Sequence, residues 1–191
     1  MRRLMLLRHA KTEHDAPSGQ DQDRRLDDRG RLDAAVVGSW IGRHPPLPDA
    51  VLVSTAVRAR QTWEIAGQAI KDAIREQSAS RAEWQAEFLD EIYGAEPAQL
   101  LQIIRMAEVS NSGSLPGHLL VVGHNPSMHE LALMLTGSGD AAAKQALQDN
   151  LPTAGLAILD FAIDDWSEVA FRGGKLVGFT SPRLLKQASD E

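Results

Sequence analysis

Short apolar runs alternate along the chain with segments in which apolar residues recur every three or four positions. Residues 4–7, 51–53, 119–122 and 156–161 are wholly or mostly apolar stretches of strand length, and 176–179 is a fifth. Runs that stay apolar on consecutive positions suit strands covered on both faces. Between them, Ala34, Val37 and Ile41 follow Asp27 or Asp28, either of which can cap a helix that ends before Pro45-Pro46. Thr55 can open a second helix through Ala59, Thr62, Ala66 and Ile70. Asn125-Pro126 is placed as an N-cap and an N1 proline ahead of Met128, Leu131, Leu135 and Gly137. A weaker helical run extends from about residue 97 to 107. This alternation predicts an α/β domain around a largely parallel central sheet.

Residues 11–25 contain almost nothing apolar, and a loop of that length is usually functional or mobile, so it is a candidate lid. Residues 110–117 form a second polar, turn-rich link, and the tail after about residue 183 is expected to be loosely held. With no internal period of about 20–50 residues, the expectation is a single domain over 1–191.

Charge and composition narrow the partners. Twenty Lys or Arg against 26 Asp or Glu leave a net charge of −6. There is then no broad electrostatic attraction for nucleic acid or anionic lipid, and any affinity for phosphate must come from a local cluster of cations. The absence of cysteine removes disulfides, thiol nucleophiles, thiolate zinc sites and iron–sulfur clusters. The first apolar run stops after four residues at Arg8, short of the roughly 7–15 residues of a secretory core. No run approaches the roughly 20 residues of a spanning helix. A cytoplasmic protein without membrane or nucleic-acid partners is expected.

Within that frame three features carry chemistry. Leu6-Leu7-Arg8-His9 is a buried strand that ends in a guanidinium and an imidazole, and ligands of open α/β sheets bind at the carboxyl ends of strands. Gly123-His124-Asn125-Pro126 repeats the arrangement beside a helix N-terminus, whose free N–H groups favour an anion. Arg58 falls in the first turn of the helix opened near Thr55, where the dipole disfavours a cation by about 0.3–1 kcal/mol unless an anion sits nearby. Arg60 lies about 200° further round and should be solvated. Each feature alone fits a structural role, but two strand-end histidines and a helix-start arginine together point to an anion pocket.

Competing motifs fail. Leu133 stands where a zinc-protease helix beginning His129-Glu130 needs its second histidine, and Gly174-Lys175 lacks the rest of a phosphate loop. His14, His44 and His118 are expected in solvent. Trp40, Trp63, Trp84 and Trp166 are too scattered for a stacking platform and are expected to pack.

Leu7-Arg8-His9-Ala10-Lys11, Arg58-Ala59-Arg60-Gln61-Thr62 and Gly123-His124-Asn125-Pro126 resemble, in order, three motifs of the histidine phosphatase superfamily. The first has alanine where glycine is commoner. The segment from Pro152-Thr153 through Trp166 to Pro182-Arg183 is similar to the C-terminal part of the SixA-type phosphohistidine phosphatases. The resemblance implies a phosphoglycerate mutase-like, three-layer α/β/α sandwich. It further implies phosphoryl transfer without metal or cofactor: His9 attacks phosphorus, Arg8, Arg58 and His124 hold the peripheral oxygens, and water hydrolyses the phosphohistidine. Two guanidinium groups near His9 would favour its neutral form, which a nucleophile needs.

Glu91 is the nearest positional candidate for a general acid, with Asp90 a close rival; both fit equally as surface carboxylates at a strand end. The SixA branch keeps no recognisable mutase-like acid motif, which favours a substrate with a high-energy P–N bond. The implied partner is a phosphorylated substrate, with a histidine-containing phosphotransfer protein the natural candidate. A small-molecule phosphomonoesterase would use the same pocket. A non-catalytic phospho-ligand module would not need His9, and the oligomeric state is left open.

Overall fold

The computed structural model describes residues 1–77, 84–107 and 115–190. In chain order its main elements are β1 (Arg2–Arg8), α1 (Asp28–Arg43), β2 (Ala50–Ser54), α2 (Val57–Glu76), β3 (Ala86–Leu89), α3 (Pro97–Arg105), β4 (His118–Gly123), α4 (Ser127–Leu135), β5 (Thr136–Gly139), α5 (Ala141–Asp149), β6 (Leu156–Phe161), β7 (Gly174–Thr180) and α6 (Pro182–Ser189). The strands form one sheet in the order β3-β2-β4-β1-β6-β7-β5. β1 pairs with β4, β2 with both β3 and β4, and β5 with β7 in parallel, while β6 runs antiparallel to β1 and β7. This is the mostly parallel α/β sheet expected.

Apolar runs become central strands because successive side chains alternate faces and both faces are covered. Leu4 and Leu6 of β1 join Leu52, Leu119, Val121 and Leu159 in a core closed by Leu100 and Ile104 of α3 and Met128 and Leu131 of α4. Met5 and Leu7 point the other way, with Val51, Val53, Leu120 and Val122, onto Val37 and Ile41 of α1 and Trp63 and Ile70 of α2. Each such side chain, fully buried, contributes about 1.5–3 kcal/mol. α1 and α2 approach backbone to backbone: a Cβ on Gly38 would lie 2.3 Å from the carbonyl oxygen of Ala66.

Several expectations shift in detail. β5 carries little apolar sequence and was not anticipated, and β3, whose end ahead of Asp90 and Glu91 was expected, is only four residues long with Glu87 inside it; both are sheet edges with exposed central residues, so neither needs two apolar faces. α1 is capped as expected, with Asp27 Oδ1 accepting the Gly30 N–H at 2.7 Å. α2 opens at Val57 rather than Thr55, whose hydroxyl instead donates to the Asp90 carboxylate. α4 opens at Ser127 with Pro126 at the cap, one residue later than expected, because the Asn125 side-chain amide donates to the Leu151 carbonyl at 2.8 Å rather than capping.

The segment expected as a loose tail forms α6. Ser181 caps it, Leu185 packs on the core, and Lys186 Nζ lies 3.2 Å from the buried Asp33. Of the polar link at 110–117, residues 110–114 lie outside the described residues. The consequence for function is in the register: Arg8 pairs with Gly123, so parallel β1 and β4 end side by side and deliver His9 and His124 to one edge.

Candidate active site

His9 is held by its backbone before its side chain does anything. Its N–H donates to Gly123 O at 3.0 Å and its carbonyl accepts the Ala154 N–H at 3.1 Å, while the Arg8 N–H donates to Gly155 O at 3.0 Å. The His9 and His124 rings stand 5.3 Å apart, tilted by 52°. Arg58, second residue of α2, is only 5% exposed. Thr62, one turn later, accepts the Ala10 N–H at 3.0 Å and donates to Arg58 O at 2.7 Å, and Gln61 Oε1 accepts the Leu26 N–H at 2.9 Å. The Gln-Thr pair after Arg58 thus ties the start of α2 to the exit of β1 and to the end of the polar loop. Arg60 is exposed, as expected, with its guanidinium 4.6 Å from the centre of the Phe88 ring.

His9 Nδ1 lies 2.8 Å from the Ala10 carbonyl. A carbonyl only accepts, so Nδ1 carries the proton and Nε2 keeps its lone pair. Burial, reinforced by His124, Arg58 and Arg8 and opposed by the Ala10 bond, lowers the His9 pKa to about 3. Burial likewise lowers His124 to about 4, with Arg58, Arg8 and Arg24 adding to the effect and Asp21 opposing it. The expected neutral imidazole is present, but desolvation outweighs the guanidinium charges as its cause.

Arg8 donates from a terminal nitrogen to Leu151 O at 3.1 Å, and burial lowers its pKa. Arg8 Nε, Arg58 Nε and His124 Nδ1 are all buried without a hydrogen-bond partner among the described residues. Leaving a buried donor unpaired costs about 1–3 kcal/mol, more when it is charged, and an oxyanion is the species that satisfies several such donors together.

Two further side chains complete the wall, and sequence reasoning missed both. Asp21, in a 3₁₀ turn (Asp21–Asp23) of the candidate lid, accepts from Arg58 through its carbonyl at 2.7 Å and through Oδ2 at 2.9 Å. The Tyr93 hydroxyl donates to the same Oδ2 at 3.0 Å. Burial pushes the Asp21 carboxyl up, but Tyr93, Arg58 and Arg24 together hold it below its ordinary value. The Tyr93 ring meets His124 edge-on at 5.6 Å. Asp21 is one of several carboxylates in a polar stretch, and nothing local marks it out.

Glu91 is exposed on the 3₁₀ turn Asp90–Ile92, and none of the contacts described around His9 and His124 involves it; Tyr93, two residues on, takes the inward position. Among the described residues no group of three or more His, Cys, Asp or Glu is placed to hold a metal ion.

Two histidines buried in neutral form make stability depend on pH. Both titrate near 6.5 when unfolded and at about 3 and about 4 when folded. Between those limits the unfolded chain binds protons that the folded chain refuses, so stability is full above about pH 6.5 and falls as pH is lowered towards 4. Each histidine contributes a slope of up to about 1.4 kcal/mol per pH unit. Denaturant unfolding at pH 7 and pH 5 should show the loss, and His124→Gln should diminish it.

The sequence profile of the histidine phosphatase superfamily (branch 1) matches residues 4–103. An uncharacterised protein of Mycobacterium tuberculosis is 36% identical over 180 residues, spanning 93% of this chain and 100% of its own. Among solved structures, a proposed phosphohistidine phosphatase SixA from Agrobacterium tumefaciens is 29% identical with a TM-score of 0.69, over 95% of this chain and 98% of its own. A proposed SixA from Nakamurella multipartitia is 25% identical with a TM-score of 0.75, over 95% and 96% of the two chains.

Proposed function

The chain belongs to the histidine phosphatase superfamily, and from that premise we propose a metal-independent phosphatase that works through phosphohistidine on His9 and prefers phosphohistidine on a protein. The observation that carries the reading is the pair of unpartnered buried guanidinium donors, Arg8 Nε and Arg58 Nε, with the equally unpartnered ring nitrogen His124 Nδ1, beside a neutral imidazole whose Nε2 lone pair is free.

His9 Nε2 attacks phosphorus in line, and the bond to the leaving group breaks with its electron pair going to that group. Water then attacks phosphorus, the P–Nε2 bond breaks, and phosphate departs. Splitting the displacement divides one high barrier into two lower ones. Arg8, Arg58 and His124 supply fixed donors to the peripheral oxygens, so the charge that a metal would otherwise neutralise falls on guanidinium groups.

The preference for a P–N bond is supported by the two SixA likenesses and by where the two carboxyl groups considered as proton donors stand. Asp21 is held ionised and is therefore a poor proton donor, and Glu91 stands in solvent. A histidine-containing phosphotransfer protein is the natural substrate carrier, and the cytoplasm its natural setting.

A turnover panel in the presence of a strong chelator tests this. Phosphohistidine protein should be hydrolysed well ahead of sugar phosphates and an aryl phosphate. Preference for a small ester would transfer the assignment to a phosphomonoesterase, binding without turnover would favour a phospho-ligand module, and a rate lost to the chelator and restored by metal would overturn metal independence.

A further inference from the structure

His124 has a partner that the proposed mechanism does not use. Ser54, the last residue of β2, is fully buried, and its Oγ lies 2.7 Å from His124 Nε2. The same Oγ accepts the Ala56 N–H at 3.3 Å. A serine hydroxyl has one proton to give. If Nε2 carried the ring proton, Oγ would accept from both sides, and its own proton would need an acceptor that the described contacts do not provide. If Oγ donates to Nε2, both Ser54 bonds are satisfied and the ring proton sits on Nδ1, the buried nitrogen without a partner.

The rest of the surroundings fix the ring rather than choose its tautomer. The His124 carbonyl accepts from the Met128 N–H at 2.9 Å and the Ser127 hydroxyl at 3.1 Å, and Tyr93 packs against the ring edge-on. Asp21, Arg58, Arg8 and Arg24 are the charged groups that act on it. None of these is hydrogen-bonded to Nδ1.

We infer that Ser54 is a positioning residue that locks neutral His124 as its Nδ1–H tautomer, so that Nδ1 presents a proton, and not a lone pair, to a peripheral phosphoryl oxygen. The inference rests on the proposed phosphatase reading for its purpose but not for its structure. A free imidazole side chain favours the opposite tautomer, and in that form two acceptors, Nδ1 and a phosphoryl oxygen, would face each other. The serine thereby converts a site with two depressed histidines into one with two different tools: His9 with a free Nε2 lone pair, His124 with a free Nδ1–H.

Nitrogen-15 NMR of the ligand-free, histidine-labelled protein at pH 7 tests this, with His124 assigned by comparison with His124→Gln. His124 Nδ1 should be protonated and Nε2 should have the shift of an unprotonated, hydrogen-bonded nitrogen. In Ser54→Ala the population should move towards Nε2–H, and kcat on an aryl phosphate should fall roughly 10- to 100-fold, less than complete loss of a transition-state donor because part of the population keeps the productive tautomer. Ser54→Thr, which keeps the hydroxyl, should restore both the tautomer and most of the rate. A wild-type His124 protonated at Nε2 overturns the inference whether or not the variants fold, as does an unchanged tautomer in Ser54→Ala. An inactive enzyme with the expected wild-type tautomer counts against the phosphatase reading alone.

Discussion

His9→Ala is expected to lower kcat/KM by at least about 10³-fold, which corresponds to about 4 kcal/mol of transition-state stabilisation. The side chain is the proposed covalent nucleophile, and its geometry leaves no substitute. His124, the neighbouring imidazole, is 5.3 Å away ring to ring and is engaged at Nε2 by Ser54. Steady-state kinetics on the preferred substrate, with a circular dichroism spectrum to show that the variant is folded, checks the prediction. Activity within tenfold of wild type would remove His9 from the chemistry.

Arg58 should rank second, with Arg58→Ala costing about 10²–10³-fold in kcat, the range for loss of one preorganised donor. Arg58→Lys should recover little. Asp21 binds two terminal nitrogens of Arg58 and leaves Nε for a ligand, a division of labour that requires a planar fork with donors on separate edges. An ammonium is a single point of charge and cannot serve both partners in fixed directions. Comparing the two variants separates geometry from charge: equal losses fit the fork, whereas a lysine variant close to wild type would show that charge alone suffices.

The parts of this site that were legible in the sequence are those set by backbone position. Arg8 and His9 leave β1, His124 leaves β4, and Arg58 starts α2, so recognising two apolar runs and one helix start was enough to bring them to one edge. Ser54, Asp21 and Tyr93 were not legible. The hydrogen bonds that place them join residues separated in the chain by 70 (Ser54 and His124), 37 (Asp21 and Arg58) and 72 (Tyr93 and Asp21), and no periodicity encodes such pairs.

The same contrast holds for the fold. β1, β2, β4 and β6 are covered on both faces and read as apolar runs, whereas the edge strands β3 and β5 carry Glu87 and a Thr-Gly-Ser-Gly sequence that gives no strand signal. α6 had a readable start in Ser181-Pro182, but much of its strength comes from Leu185 on the core and Lys186 beside Asp33, both tertiary.

The most direct test of the whole account is to quench the enzyme at alkaline pH during turnover and map the phosphorylated atom by mass spectrometry and phosphorus NMR. The phosphoryl group should be found on Nε2 of His9, acid-labile and stable to alkali, because Nδ1 is committed to the Ala10 carbonyl. Phosphate on any other residue, or on Nδ1 of His9, would contradict it.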